Sequence, residues 1–168
     1  LATTHIPIAE ISKTLCPELI TKKLNSLLKF CTLFKANPTI AIAGLNPHSG
    51  EKGYLGKEEI AWLNPVLEQW QSLNPAVHLE GPIPPDVCWL SAAKAWKDGG
   101  NKNTPDGYLA LYHDQGLIPV KLLAFEEAVN TTLGLPFIRT SPDHGTGFDI
   151  AGKGTAQASS MMAACNTA

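Results

Sequence analysis

The chain has 168 residues, about one domain by length, with 44% apolar and 17% charged residues, a net charge of −2 and a pI near 6.2. That composition argues for a packed core and against disorder, the charge argues against a general nucleic-acid-binding surface, and no apolar run approaches the ~20 residues that span a bilayer. The charged share lies below the usual ~25%, which predicts that much surface is covered by a partner subunit or by a further part of the chain.

Residues 1–4 read as the end of a strand. The first residue is Leu1, not Met, and these opening residues do not read as a signal peptide. Residues 17–35 read as a helix, with Ile20, Leu24, Leu27, Leu28, Cys31 and Phe34 at helical spacing and Pro17 in the first turn. Residues 39–45 are short, apolar and β-prone, a buried strand followed by a glycine-rich loop over 46–56. Residues 57–73 read as a helix disturbed at Pro65, and 76–80 as a short strand. Residues 81–85 form a rigid turn, 86–96 a helix with Asp86 as its cap, and 99–105 a polar loop. Residues 107–112, 128–133 and 136–140 read as strands, and Asp149 or Thr155 opens a last helix that reaches residue 168 without a stop signal. The pattern predicts an α/β fold with a largely parallel sheet, in a piece of a longer protein. The four cysteines (Cys16, Cys31, Cys88, Cys165) form no CxxC pair and read as reduced thiols of a cytoplasmic protein.

Three of the five histidines, His5, His48 and His113, fall at or just after strand ends, where open α/β sheets bind ligands. Three imidazoles with one open position suit a catalytic divalent metal, and three unrelated loop residues remain the alternative. Asp114 is placed to orient an imidazole. Arg139 is the only arginine and ends an apolar stretch. With Lys121 and Asn130, also set among apolar neighbours, it suits an acidic substrate; an internal salt bridge and a surface lysine are the alternatives. The glycine-rich turn 46–53 offers backbone amides to an anion. A second, 143–154, would lead into a helix N-terminus and suit a phosphate or pyrophosphate, with Asp149 reaching ribose hydroxyls or an adenine amine.

Four segments, GLNPHSGE (44–51), YHDQG (112–116), NTTLGLPFIRT (130–140) and DHGT (143–146), resemble the 4-hydroxythreonine-4-phosphate dehydrogenase family of pyridoxal phosphate biosynthesis. The resemblance covers nearly the whole chain and is with the C-terminal half of that family. It implies an isocitrate/isopropylmalate dehydrogenase-like fold, here the C-terminal part of a two-domain α/β/α protein. Residues 1–106 would be most of a dimer-forming, metal-binding domain, and 107–168 part of a substrate- and NAD-binding domain. It implies a cytoplasmic homodimer with shared active sites and no nucleic-acid or membrane partner. The metal ligands would be His5, His48 and His113, with zinc first and cobalt or magnesium as other candidates. Lys121, Asn130 and Arg139 would contact a small phosphorylated hydroxy acid, and Lys121 or Asp114 would move the proton. His144, Gly145, Thr146 and Asp149 would line the NAD (or NADP) site by a looser likeness to isopropylmalate dehydrogenases. The implied reaction is NAD- and metal-dependent oxidation and decarboxylation of 4-phosphooxy-L-threonine to 3-amino-2-oxopropyl phosphate. A phosphothreonate or dihydrodiol dehydrogenase of the same fold, or a non-catalytic metal-binding fragment, stays open beside it. Gly147 stands where that family would carry alanine.

Overall fold

The computed structural model describes residues 1–100 and 104–168. It divides into two compact units, Leu1–Leu117 and Ile118–Ala168.

The first unit is built on β1 (Thr39–Ala43), whose run Ile40, Ala41, Ile42 and Ala43 is fully buried. A strand covered on both faces needs apolar residues at every position rather than at alternate ones. β1 is the middle strand of a parallel three-stranded sheet, flanked by β2 (His78–Ile83) and β3 (Gly107–Leu109). Ile40 pairs with Leu79 on one side and Gly107 on the other, and the β2 register slips between Ala41 and Ala43. Helix α1 (Ile8–Thr14) gives Ile11 to the core and α2 (Pro17–Cys31) gives Ile20 and Leu24. Helix α3 (Asn64–Leu73) adds Leu67 and Trp70, whose indole N–H donates to Asn25 Oδ1 at 2.7 Å. Helix α4 (Leu90–Lys97) has no buried residue.

Several expectations are corrected in detail. The helix over 57–73 is two pieces, a single π turn (Glu59–Leu63) and then α3 with Pro65 in its first turn, where a missing N–H costs nothing. Asp86 caps no helix: the Pro84 carbonyl accepts both the Val87 and Cys88 N–H groups, and this turn delays α4 to Leu90. Part of the 99–105 loop, residues 101–103, lies outside the described residues. Residues 1–4 form no strand of their own, yet the Ala2 and Thr3 N–H groups donate to the carbonyls of Ala110 and Leu111 just past β3. Helices α1 and α5 (His113–Ala124) were not anticipated. Gly116 and Pro119 mask the second of these in sequence. Gly116 is there for contact, because a Cβ would sit 2.6 Å from the Leu1 side chain.

The second unit holds the end of α5, an antiparallel pair β4 (Val129–Thr131) and β5 (Thr140–Pro142), and α6 (Ser159–Thr167). The strand expected over 136–140 starts only at Thr140, because Gly134 turns the chain at φ 85° and Pro136 brings no N–H. The last helix opens at Ser159, not at Asp149 or Thr155.

Truncating the central strand, Ile42→Ala, is expected to cost about 3 kcal/mol by urea denaturation, because the side chain is fully buried. Leu33→Ala, at a residue 74% exposed, should stay within about 0.5 kcal/mol; equal losses would contradict the core assignment.

Candidate functional site

One buried polar side chain joins the segments that follow β1 and β3, and a second fixes the segment after β1. Gln115, in the first turn of α5 and 7% exposed, accepts the Leu111 N–H at Oε1 and donates from Nε2 to the Gly44 carbonyl, both at 2.7 Å. Glu59, 1% exposed, accepts the N–H groups of Leu45 (2.9 Å) and Asn46 (2.8 Å) at one oxygen and the Asn46 side-chain amide (2.8 Å) at the other. Of the 46–53 amides expected to cradle an external anion, the first, that of Asn46, is thus met by the protein's own carboxylate, as is that of Leu45 just before it.

Beyond that anchor the chain runs left-handed. His48, Ser49, Gly50, Glu51 and Lys52 all have positive φ, between 44° and 82°. Four of them carry a Cβ, and that conformation costs roughly 1–2 kcal/mol per such residue. Ser49 Oγ donates to the Pro82 carbonyl at 2.9 Å, and Gly44 must lack a Cβ because Ser49 Oγ would stand 2.6 Å from it. The result is an exposed His48 on a tightly held turn.

His5 and His113 meet. Their ring centroids are 5.5 Å apart, beside a small cleft of about 180 Å³ that Thr4, Tyr112 and Asp114 also line. Asp114 Oδ1 is 2.7 Å from His113 Nδ1, which orients the ring and leaves Nε2 for a ligand. This donor set fits a divalent cation of the kind imidazole binds. His48 does not line that cleft, and among the described residues no three His, Cys, Asp or Glu side chains gather into one metal-binding group. A single copy therefore brings together two of the three expected ligands.

In the second unit Lys121 Nζ is 3.0 Å from Asp143 Oδ2, donates to the Asp143 carbonyl at 2.9 Å and stands 5.2 Å from the Phe125 ring centre. Asn130 pairs with Ser141 across the hairpin, and the Thr132 N–H donates to the Arg139 carbonyl. Residues opposite one another share a face, as do alternate residues of a strand, so Asn130 and Arg139 stand on the same side. The other side carries Thr140, whose hydroxyl donates to the Ala164 carbonyl of α6. Although both lie among apolar neighbours in sequence, Asn130 and Arg139 are exposed, on the face turned away from the helix. Arg139 Nη1 donates to Thr132 Oγ1 at 2.9 Å, and no carboxylate pairs with it among the described residues.

His144, Gly145, Thr146 and Asp149 all border a cleft of about 930 Å³ together with Phe125 and Met161. His144 is exposed, with Nδ1 2.9 Å from the Gly145 carbonyl. The glycine-rich segment does not run straight into a helix N-terminus as expected, since α6 starts only at Ser159.

Gln115 and Glu59 were missed by the sequence reading. Gln115 lay inside the YHDQG segment, and a polar residue in the first turn after a buried strand was the available signal. Nothing local marked Glu59, whose partners are 13 and 14 residues away.

The chain matches, over residues 1–168, the family described as "Pyridoxal phosphate biosynthetic protein PdxA". It is 57% identical over 169 residues to a 4-hydroxythreonine-4-phosphate dehydrogenase of Synechococcus sp. (strain RCC307), covering 100% of this chain and 52% of that protein. Its structure is similar to that of the 4-hydroxythreonine-4-phosphate dehydrogenase from Klebsiella pneumoniae, with a TM-score of 0.83 and 40% identity over 99% of this chain and 47% of the other. A terephthalate 1,2-cis-dihydrodiol dehydrogenase from Burkholderia xenovorans LB400 is similar at TM-score 0.70 and 28% identity, over 98% and 49% of the two chains. The chain thus spans about half the length of the relatives it matches.

Glu58, next to the Glu59 anchor, links the turn to α1. The Asn46 side-chain amide on its carboxylate (2.8 Å), assisted by the Ser12 hydroxyl (3.0 Å), holds its pKa below the ordinary value. Between the unfolded value, about 4.3, and the lower folded one, the unfolded chain binds more protons, so stability falls as pH drops through that window. Melting curves between pH 6 and pH 3 should lose less on acidification in Glu58→Gln than in the unsubstituted protein. Parallel curves would remove Glu58 from the acid sensitivity.

Proposed function

The chain belongs to the pyridoxal phosphate biosynthetic protein PdxA family and has its isocitrate/isopropylmalate dehydrogenase-like fold, and from this we propose that it serves in the oxidation and decarboxylation of 4-phosphooxy-L-threonine to 3-amino-2-oxopropyl phosphate. The observation that carries the reading is the His5–His113 pair with Asp114 on Nδ1 of the second ring. The reaction takes NAD (or NADP) and a divalent metal, zinc first, with cobalt or magnesium as other candidates. Bound there, the cation would supply Lewis acidity to the substrate hydroxyl and then to the ketone, while the nicotinamide accepts the hydride.

The chain's own residues divide the remaining work. His5 and His113 hold the cation, and Asp114 keeps the His113 ring in the tautomer that presents Nε2. His48 would come from a second copy, which accords with its absence from the cleft of its own chain and with a homodimer that shares its sites. Exposed apolar side chains such as Tyr54 (87%) and Phe34 (77%) support a covered surface. Arg139 and Asn130, on one face of the hairpin, hold the anionic ends of the substrate. Lys121 exchanges its Asp143 contact for the substrate and, with Asp114, is a candidate to move the proton. His144, Gly145, Thr146 and Asp149 take the adenosine end of the nucleotide in the larger cleft. The location proposed is the cytoplasm; no helix among the described residues is long and apolar enough to cross a membrane.

A dihydrodiol or phosphothreonate substrate is the second reading, supported by the likeness to the terephthalate dihydrodiol enzyme. The higher identity to the hydroxythreonine-phosphate enzymes favours the first. Turnover of the three substrates with NAD and metal, measured on the intact protein, decides between them, and nucleotide binding without turnover of any would favour a non-catalytic role. His113→Ala is expected to lose bound metal and turnover together, read by metal content and NADH formation; metal kept at full occupancy would sink the histidine site. Arg139→Lys should raise KM about tenfold with kcat little changed, because the planar two-pronged anion contact is lost. An unchanged KM would remove Arg139 from substrate binding.

A further inference from the structure

We propose that Gln115 is a positioning residue for the metal centres: its buried amide, spanning from the Leu111 N–H to the Gly44 carbonyl, sets the offset between the segment that carries His113, a ligand at this chain's own site, and the segment that carries His48, the ligand this chain offers to the site of a second copy. The inference rests on the metal-binding reading above.

Both polar ends of the Gln115 side chain are used, each at 2.7 Å, in a residue 7% exposed. It sits two residues after His113 in the same helix, so a shift of its amide is a shift of the His113 backbone. On the far side little slack separates Gly44 from His48. The Gly44 N–H is held by the Ile83 carbonyl at 2.7 Å. Glu59 takes the next two N–H groups, and Ser49 is tied to the Pro82 carbonyl. An offset imposed at Gly44 therefore reaches the His48 backbone along a segment anchored on both sides of that residue. Imidazole ligands tolerate little misplacement, and loss of an outer partner typically weakens metal binding about 10–100-fold.

The competing account is that Gln115 only satisfies buried backbone groups. Gln71 offers the comparison inside the same unit. Its amide donates to the carbonyls of Asn74 and Val77 and accepts the Leu79 N–H, joining the end of α3 to β2 with no histidine ligand on either segment. Removing either glutamine amide should cost stability, but only Gln115 should cost metal affinity.

Co²⁺ is the probe, titrated by chelator competition into the metal-stripped intact protein well below the melting temperature, with its visible spectrum recorded. Gln115→Met should bind Co²⁺ about 10–100-fold more weakly and with an altered spectrum, while Gln71→Met melts earlier but keeps the unsubstituted affinity. Gln115→Met with unchanged affinity and spectrum would overturn the proposal, as would an equal loss in Gln71→Met. Should Gln115→Met fail to fold, Glu59→Gln carries the test through the next anchor on the same segment: a severalfold weaker Co²⁺ affinity supports the relay, and an unchanged one overturns it. Failure of the unsubstituted protein to bind Co²⁺ would instead remove the metal-binding reading itself, and this inference with it.

Discussion

A buried carboxylate with three N–H donors holds the chain where β1 stops, and the geometry of that edge depends on it. Glu59 meets the backbone of Leu45 and Asn46 just as the strand ends, and the Asn46 side chain closes the ring of donors. Hydrogen bonds of this kind contribute about 1.5–3 kcal/mol each when the acceptor is charged. They are of the size needed to offset a turn in which four consecutive side-chain-bearing positions, broken only by Gly50, take left-handed dihedrals. Without the anchor that turn has no reason to persist, and His48 would have no fixed place. The first backbone amide of the loop is therefore occupied by an intramolecular anion.

The second unit solves a different problem. A two-stranded hairpin has one face to bury and one to spare. Here α6 takes the face with Thr140, and the spare face receives Asn130 and Arg139. Charged and amide groups on the spare face need no internal partner, which is why Arg139 makes do with the Thr132 hydroxyl. The apolar segment between the strands, including Phe137 and Ile138, is exposed as well, so its apolar character does not mark a core strand.

What the sequence carried openly was whatever depends on local pattern. The TIAIA run of β1 reads as a doubly covered strand because no polar residue interrupts it, and α2 reads as a helix from the spacing of Ile20 and Leu24. The place of His113 after β3 was legible for the same reason; His5 follows no strand, yet the structure brings its ring beside that of His113. Helix α5 was hidden because Gly116 and Pro119 are poor helix formers whose reasons are tertiary: Leu1 packs where a Cβ of Gly116 would be. Glu59 and Gln115 were hidden because their roles consist of contacts across long stretches of sequence. The apolar neighbours of Asn130 and Arg139 did not reveal that both are exposed, because only one face of the hairpin is covered.

The hydrogen bonds from Ala2 and Thr3 to the carbonyls after β3 join segments 108 residues apart, with the Thr3 hydroxyl adding a further bond to Leu111. They bear on how the molecule is made. During synthesis Ala2 and Thr3 are made 108 residues before their partners, and β1 must wait in turn for β2 and then β3. Contacts of such long sequence separation slow folding and keep strand edges open meanwhile. Ala2 and Thr3 thus act as a clasp that closes only once residues 110 and 111 are in place, and His5, just beyond it, meets His113 through the same closure.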